Sequence, residues 1–178
     1  GDTGTNNVYD FTAAISDGTN TGSTLTYQVT VTDLNDQTPT YSSSDTTPSI
    51  SEGTTAVETL TVTDTDSADV NACTLGGTDF ASFTCTVSGD SVALAFSSGN
   101  VPDFENPGSA DSDNDYSVTV TISDGTNTGA TIAYTVTVVD ANDQTPSYSA
   151  GGLTPSLAEG TTAVDSFTVT DTDTGDSN

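Results

Sequence analysis

Apolar and polar residues alternate with a period of two along much of this chain. Val118, Val120 and Ile122 alternate with Ser117, Thr119 and Thr121, and Ile132, Tyr134, Val136 and Val138 alternate with Thr131, Ala133, Thr135 and Thr137. Successive side chains of a strand point to opposite faces, so each run predicts a strand with one apolar and one hydroxyl-bearing face. The intervening Asp124-Gly125-Thr126-Asn127-Thr128-Gly129 predicts a hairpin connection. Leu60 and Val62, then Phe83 and Cys85, then Val92, Leu94 and Phe96 predict further strands. Pro48–Val57 predicts an irregular first strand, because proline is confined to strand edges and starts. No stretch sustains a helical period. About seven strands in about 105 residues is the pattern of an antiparallel β-sandwich.

The pattern recurs. Asp17-Gly18-Thr19-Asn20-Thr21-Gly22 returns at Asp124–Gly129, Asn35-Asp36-Gln37-Thr38-Pro39 at Asn142–Pro146, and Glu52–Val57 at Glu159–Val164. Every offset is 107, and residues 1–71 match residues 108–178 without a gap at 42 positions. A period of this length suits a whole domain, since solenoid units run about 20–50 residues. The arithmetic predicts one complete repeat over 37–143, the C-terminal part of another over 1–36, and the N-terminal part of a third over 144–178. The opening Gly1-Asp2-Thr3-Gly4 has no secretory leader pattern, and the whole reads as a window of a longer chain.

Composition narrows the chemistry. The chain has no Lys, Arg, His, Met or Trp, and its 26 acidic residues give a formal charge of -26. Without cations it has nothing to neutralise nucleic-acid phosphates or anionic lipid headgroups. General-base or nucleophilic catalysis through His or Lys is impossible, and the expectation is a protein that is not an enzyme. A carboxylate-pair glycosidase built on Asp103 and Glu105 would lack the large aromatic subsites that accompany such sites. No run of about 20 apolar residues exists to insert in a membrane. A charge this large repels itself, which calls for exogenous cations if the chain is to be compact.

The acids are clustered. Glu52 lies near the start of the complete repeat, Asp103-Phe104-Glu105 in its middle and Asn142-Asp143 at its end, with Asp171 and Asp173 following in the next repeat. Loops at one pole of a sandwich converge on the linker, so these acids can gather there. Gathered carboxylates need a counter-charge, and calcium accepts six to eight oxygens at once. An EF-hand is excluded: after Asp64-Thr65-Asp66, Asp69 stands where its glycine belongs and Leu75 where its closing glutamate belongs.

Five elements occur in a fixed order: Glu52; Asp64-Thr65-Asp66; Asp103-Phe104-Glu105; the Tyr116 strand ending in Asp124-Gly125; and Asp140-Ala141-Asn142-Asp143-Gln144-Thr145-Pro146. In this order and at this length the chain resembles tandem cadherin-type repeats, including those of large bacterial surface proteins. Phe104 stands where that family usually has arginine, and residues 71–90 match it poorly. The resemblance implies tandem immunoglobulin-like (cadherin-type) β-sandwiches with Ca2+ at each boundary. For the second boundary it implies ligands Glu52, Asp103, Glu105, Asn142, Asp143, Asp171 and Asp173. For the first it implies Asn35, Asp36, Asp64, Asp66 and Asp124, the remaining acids preceding Gly1. It also implies an extracellular setting on a bacterial cell surface.

Cys73 and Cys85, twelve residues apart, are the only cysteines. In an extracellular setting they are expected to form a disulfide between neighbouring strands; two buried thiols would be the reading for a reducing compartment. The acidic run Asp111, Asp113, Asp115 reads as a solvated loop. Two functions are compatible with these observations. The first is a structural repeat segment of a calcium-stiffened stalk or fibre in a cell-surface adhesion protein, whose partners are neighbouring repeats and like chains in a fibre. The second is a homotypic or carbohydrate-binding adhesive module, which would need exposed aromatic anchors.

Overall fold

The alternating runs pair into strands as their periodicity predicts. The computed structural model describes residues 6–66, 70–150 and 154–174, so Asp69 lies outside the described residues. The strands are β1 (Val8–Ala13), β2 (Leu25–Thr30), β3 (Thr40–Tyr41), β4 (Ser49–Ser51), β5 (Ala56–Thr63), β6 (Ala72–Gly76), β7 (Phe83–Ser88), β8 (Ser91–Phe96), β9 (Asp115–Ser123), β10 (Ile132–Val139), β11 (Ser147–Ala150) and β12 (Phe167–Thr170). Two four-stranded sheets, in the orders β4-β10-β9-β6 and β3-β5-β8-β7, form a sandwich from residues between Thr40 and Val139.

The core lies between these sheets and is the apolar half of each alternation. Leu60, Val62, Val92, Leu94, Phe96, Val118, Val120, Ile122, Tyr134, Val136 and Val138 are all buried. Phe96 packs against Phe83 with ring centroids 4.3 Å apart and planes tilted by 34°, and meets Tyr116 edge-on at 5.0 Å. Ile132, an apolar member of its run, is only half-buried.

Three features depart from the simple reading. Pro48–Val57 is not one irregular strand. Ser49–Ser51 pairs in parallel with β10 (Ser49 opposite Thr137), the chain turns at Gly53 with φ +73°, and β5 then begins in the other sheet. The chain crosses between sheets after Tyr41, because β3 pairs with β5 whereas β4 pairs with β10. A further strand, β6, carries Cys73, which the disulfide expectation places on a strand although the apolar alternation marks none there; it pairs with β9, Cys73 opposite Ile122.

Cys73 and Cys85 form a disulfide with Cα atoms 6.1 Å apart. They are not hydrogen-bonded neighbours within one sheet. β6 and β7 are the edges of opposite sheets, so the bond staples the open side of the sandwich.

The flanking segments pair only within themselves, β1 with β2 and β11 with β12. Phe11, Tyr27, Tyr148 and Phe167 are exposed there, although they align across the 107-residue offset with buried or half-buried Val118, Tyr134, Tyr41 and Leu60. Among the described residues no helix is long and apolar enough to cross a membrane.

Candidate metal centre

Backbone hydrogen bonds bring three sequence-distant segments to one pole of the sandwich. The Glu52 amide, in the turn after β4, donates to the Val139 carbonyl at the end of β10 (3.0 Å), and the Gly53 amide donates to Pro102 (2.9 Å). The turn, the 101–106 loop and the linker after β10 therefore meet.

Glu52 braces this junction with its carboxylate. One oxygen accepts the Phe104 amide at 2.8 Å and the other the Ala141 amide at 2.9 Å. Phe104 lies between Asp103 and Glu105, and Ala141 between Asp140 and Asn142, so one side chain sets the position of both acidic segments.

The result is two overlapping groups of carboxylates. Glu52, Glu105 and Asp143 each offer an oxygen within 4.8 Å of the others, and so do Glu105, Asp140 and Asp173. Glu105 belongs to both. Both of its carboxylate oxygens are buried and neither has a hydrogen-bond partner, and one oxygen of Asp140 is in the same condition. Burial above all, with the charges of Glu52 and Asp140 adding, holds the Glu105 carboxyl above the usual carboxylate range. Asp140 is shifted the opposite way: the Thr174 hydroxyl, and then its amide, hold it below that range against the effect of burial.

Of the rest of the expected set, Asp143 and Asp173 belong to these groups, whereas Asp103, Asn142 and Asp171 lie around them. Asp143 accepts the Gln144 side-chain amide at 2.6 Å, and Asp173 accepts the Gln144 backbone amide at 3.0 Å. Asp103 is exposed and accepts the Asn106 amide at 2.9 Å. Asp171 accepts the Asp173 amide at 3.5 Å, and Asn142 is exposed on the linker. Asp140 is the residue that sequence reasoning left out of the ligand set. A signal existed, since it opens the Asp-Ala-Asn-Asp motif and its counterpart across the 107-residue offset, Asp33, is also aspartate.

The first boundary repeats the local geometry of the second. The Gln37 amide donates to Asp66 at 2.7 Å and its side chain to Asp36 at 2.6 Å, as Gln144 does to Asp173 and Asp143. Asp64 accepts the Asp66 amide at 3.1 Å, and its second oxygen is buried with no hydrogen-bond partner. Asp124, 3% exposed, accepts the Thr126 and Asn127 amides. Burial works to raise its carboxyl, but these hydrogen bonds outweigh it and hold the group below the usual range. Asn35 donates from its side chain to the Asp124 carbonyl at 3.4 Å. The close carboxylate groups found among the described residues draw on Glu52 and Glu105; no such group is found there around Asn35, Asp36, Asp64, Asp66 and Asp124.

The donor set fits a hard divalent cation. It consists wholly of oxygens, two of them buried on one carboxylate without a donor, in a chain that has no Lys, Arg or His to neutralise them.

No family model and no curated protein sequence matches this chain. Solved structures do. It is similar to human CDH23 EC21-23 at 21% identity and a TM-score of 0.59, covering 95% of this chain and 55% of that one. It is similar to protocadherin gammaB7 EC3-6, described as a cis-dimer, at 22% identity and a TM-score of 0.56, covering 95% and 41%. The human desmocollin-1 ectodomain matches at 15% identity and a TM-score of 0.53, covering 70% and 25%. The chain thus spans about half, or less, of the length of the solved chains it resembles. Two sheets in this order, the sheet-switching first strand and these likenesses together give the chain a cadherin-like fold.

Proposed function

We propose that this chain is a segment of structural repeats from an extracellular, Ca2+-stiffened stalk or fibre of a cell-surface adhesion protein. Residues 37–143 are one complete repeat, and 1–36 and 144–178 belong to its neighbours. The observation that carries the reading is the shared position of Glu105 in two carboxylate groups, one of which, with Asp140 and Asp173, reaches from the 37–143 unit into the segment after it.

Calcium, when bound, supplies a positive charge that six to eight oxygens can share. The residues proposed to hold it at the second boundary are Glu52, Asp103, Glu105, Asn142, Asp143, Asp171 and Asp173, with Asp140 added. At the first boundary they are Asn35, Asp36, Asp64, Asp66 and Asp124. Asp140 and Asp143 lie on the linker, Glu52 and Glu105 before it, and Asp173 after it. Ligands drawn from all three segments to one cation remove the freedom of the linker to bend, and the cation offsets the chain's self-repulsion. Nothing in this arrangement requires a catalytic role.

A thermal melt of the chain in millimolar calcium and then in excess EDTA tests the proposal. The expected result is a higher Tm in calcium by many degrees, with the difference lost when Asp143 and Asp173 are both replaced by Asn. Coincident melts in the two buffers would remove the metal from the account.

A further inference from the structure

The turn between β9 and β10 has a counterpart between β1 and β2, and the two are built alike. Asp124 accepts the Thr126 and Asn127 amides at 2.7 and 2.6 Å; Asp17 accepts the Thr19 and Asn20 amides at 2.9 and 2.7 Å. The Ser123 hydroxyl donates to the Asn127 carbonyl, and the Ser16 hydroxyl to the Asn20 carbonyl. In both turns the Asn side-chain amide is directed at the leading Asp, at 3.2 Å from Asn127 and 3.4 Å from Asn20. The turn conformation is therefore local, set by the same internal hydrogen bonds in both copies.

What differs is what the Asn side chain reaches. The Asn127 amide also donates to the Asn35 side-chain oxygen at 2.9 Å and to the Gln37 carbonyl at 2.6 Å, both on the linker that enters the 37–143 unit. On its other side the same linker is held by the Gln37 amide donating to Asp66 at 2.7 Å. Close passage of the incoming chain is made possible by Gly129, where a Cβ would lie 2.6 Å from the Tyr41 ring and 2.7 Å from the Pro39 carbonyl. None of these contacts uses a cation.

We propose that Asn127 is a metal-independent latch that fixes the direction in which the linker enters the repeat. Its amide is aimed in advance by Asp124, and it pins two linker acceptors while Asp66 pins the donor between them. Asn127 acts as a positioning residue: it orders Asn35 and Gln37, and so presents the linker's oxygens in register before any cation arrives. The inference rests on the boundary reading only in that residues 35–37 must join two repeats.

The test is amide hydrogen exchange by NMR on the whole chain in excess chelator, following the Gln37 amide against the core amides of Val118 and Val120. Asn127→Ala should speed Gln37 exchange about tenfold, the factor expected from losing one or two part-exposed hydrogen bonds, with the core unchanged. Asn127→Asp keeps the shape but sets a negative acceptor against two acceptors, and should speed it at least as much. Asn20→Ala, the same change in the turn that has no contact with residues 35–37 among the described residues, should alter neither. Gln37 exchange at the wild-type rate in Asn127→Asp, or an equal acceleration in Asn20→Ala, would overturn the latch. Because chelator is present throughout, neither outcome depends on whether calcium binds, and a failed calcium melt would leave the latch standing.

Discussion

Replacing Asp143 by Asn should change the sign of its effect on stability with the buffer. Its carboxylate lies within 4.8 Å of those of Glu52 and Glu105. Asp143 is exposed, so the water limit of the dielectric applies, and two like charges at that distance repel by about 0.9 kcal/mol. Two such pairs make about 1.7 kcal/mol, reduced by screening at 0.1 M salt to about 1.1 kcal/mol. A repeat of 107 residues unfolds with an entropy of about 0.22 kcal/mol/K, so relieving this repulsion should raise Tm by about 5 °C in EDTA. In calcium the same substitution removes one of the proposed ligands. A tenfold loss of affinity at saturating metal costs about 1.4 kcal/mol, which lowers Tm by about 6 °C. Scanning calorimetry of both proteins in both buffers measures the four values. The gain in EDTA should also shrink in 1 M salt, where the screening length is about 3 Å. A drop of equal size in calcium and in EDTA would mean that Asp143 acts through a structural hydrogen bond rather than through its charge.

Three other outcomes are expected. Reducing the Cys73–Cys85 bond, or replacing both residues by Ser, reopens a loop whose ends are 12 residues apart. This should cost about 3 kcal/mol, or about 13 °C for the repeat, in a melt with and without reductant. Glu58 accepts the Ser43 and Tyr134 hydroxyls at 2.6 Å each, together with the Ser44 amide; burial acts to raise its carboxyl, but these bonds outweigh it and lower it from the ordinary 4.5. A depressed folded value means stability that is complete above pH 4.5 and is lost as pH falls through and below it. The wild type should therefore lose more Tm than Glu58→Gln over that window, and parallel curves would contradict the assignment. Gly129→Ala drives a Cβ into the Tyr41 ring and the Pro39 carbonyl, and should destabilise by about 1–3 kcal/mol in urea unfolding. No loss there would mean that the first strand of the repeat is free to move aside.

Much of the fold was legible in the chain because strand periodicity is a local property. Alternation at 117–122 and 131–138 marks β9 and β10 directly, since each side chain's face follows from its neighbour's. The 107-residue offset needed no structure at all, being an identity of the sequence with itself. The expectation that the acids gather at one pole rested on the convergence of sandwich loops and on a charge that nothing in the chain neutralises. The alternation does not mark β6 because Ala72–Gly76 is short, carries a glycine and alternates weakly; it is a strand because β9 offers it an edge.

Other properties came only from the tertiary structure, because each depends on distances between residues far apart in sequence. Pro48–Val57 reads locally as one strand, but the hydrogen bonds available to it lie in two different sheets, and the chain divides at Gly53 to satisfy both. Cys73 and Cys85 look like partners on adjacent strands, yet their pairing joins the edges of opposed sheets. Asp140 looked like one more linker acid until Glu52, bonded to Phe104 and Ala141, drew the linker and the Glu105 loop together. The sequence determined the strand alternation, the repeat and the acids, since those depend on near neighbours or on the chain's identity with itself. The packing of two sheets determined which acids face one another, since that depends on where the strands end in space.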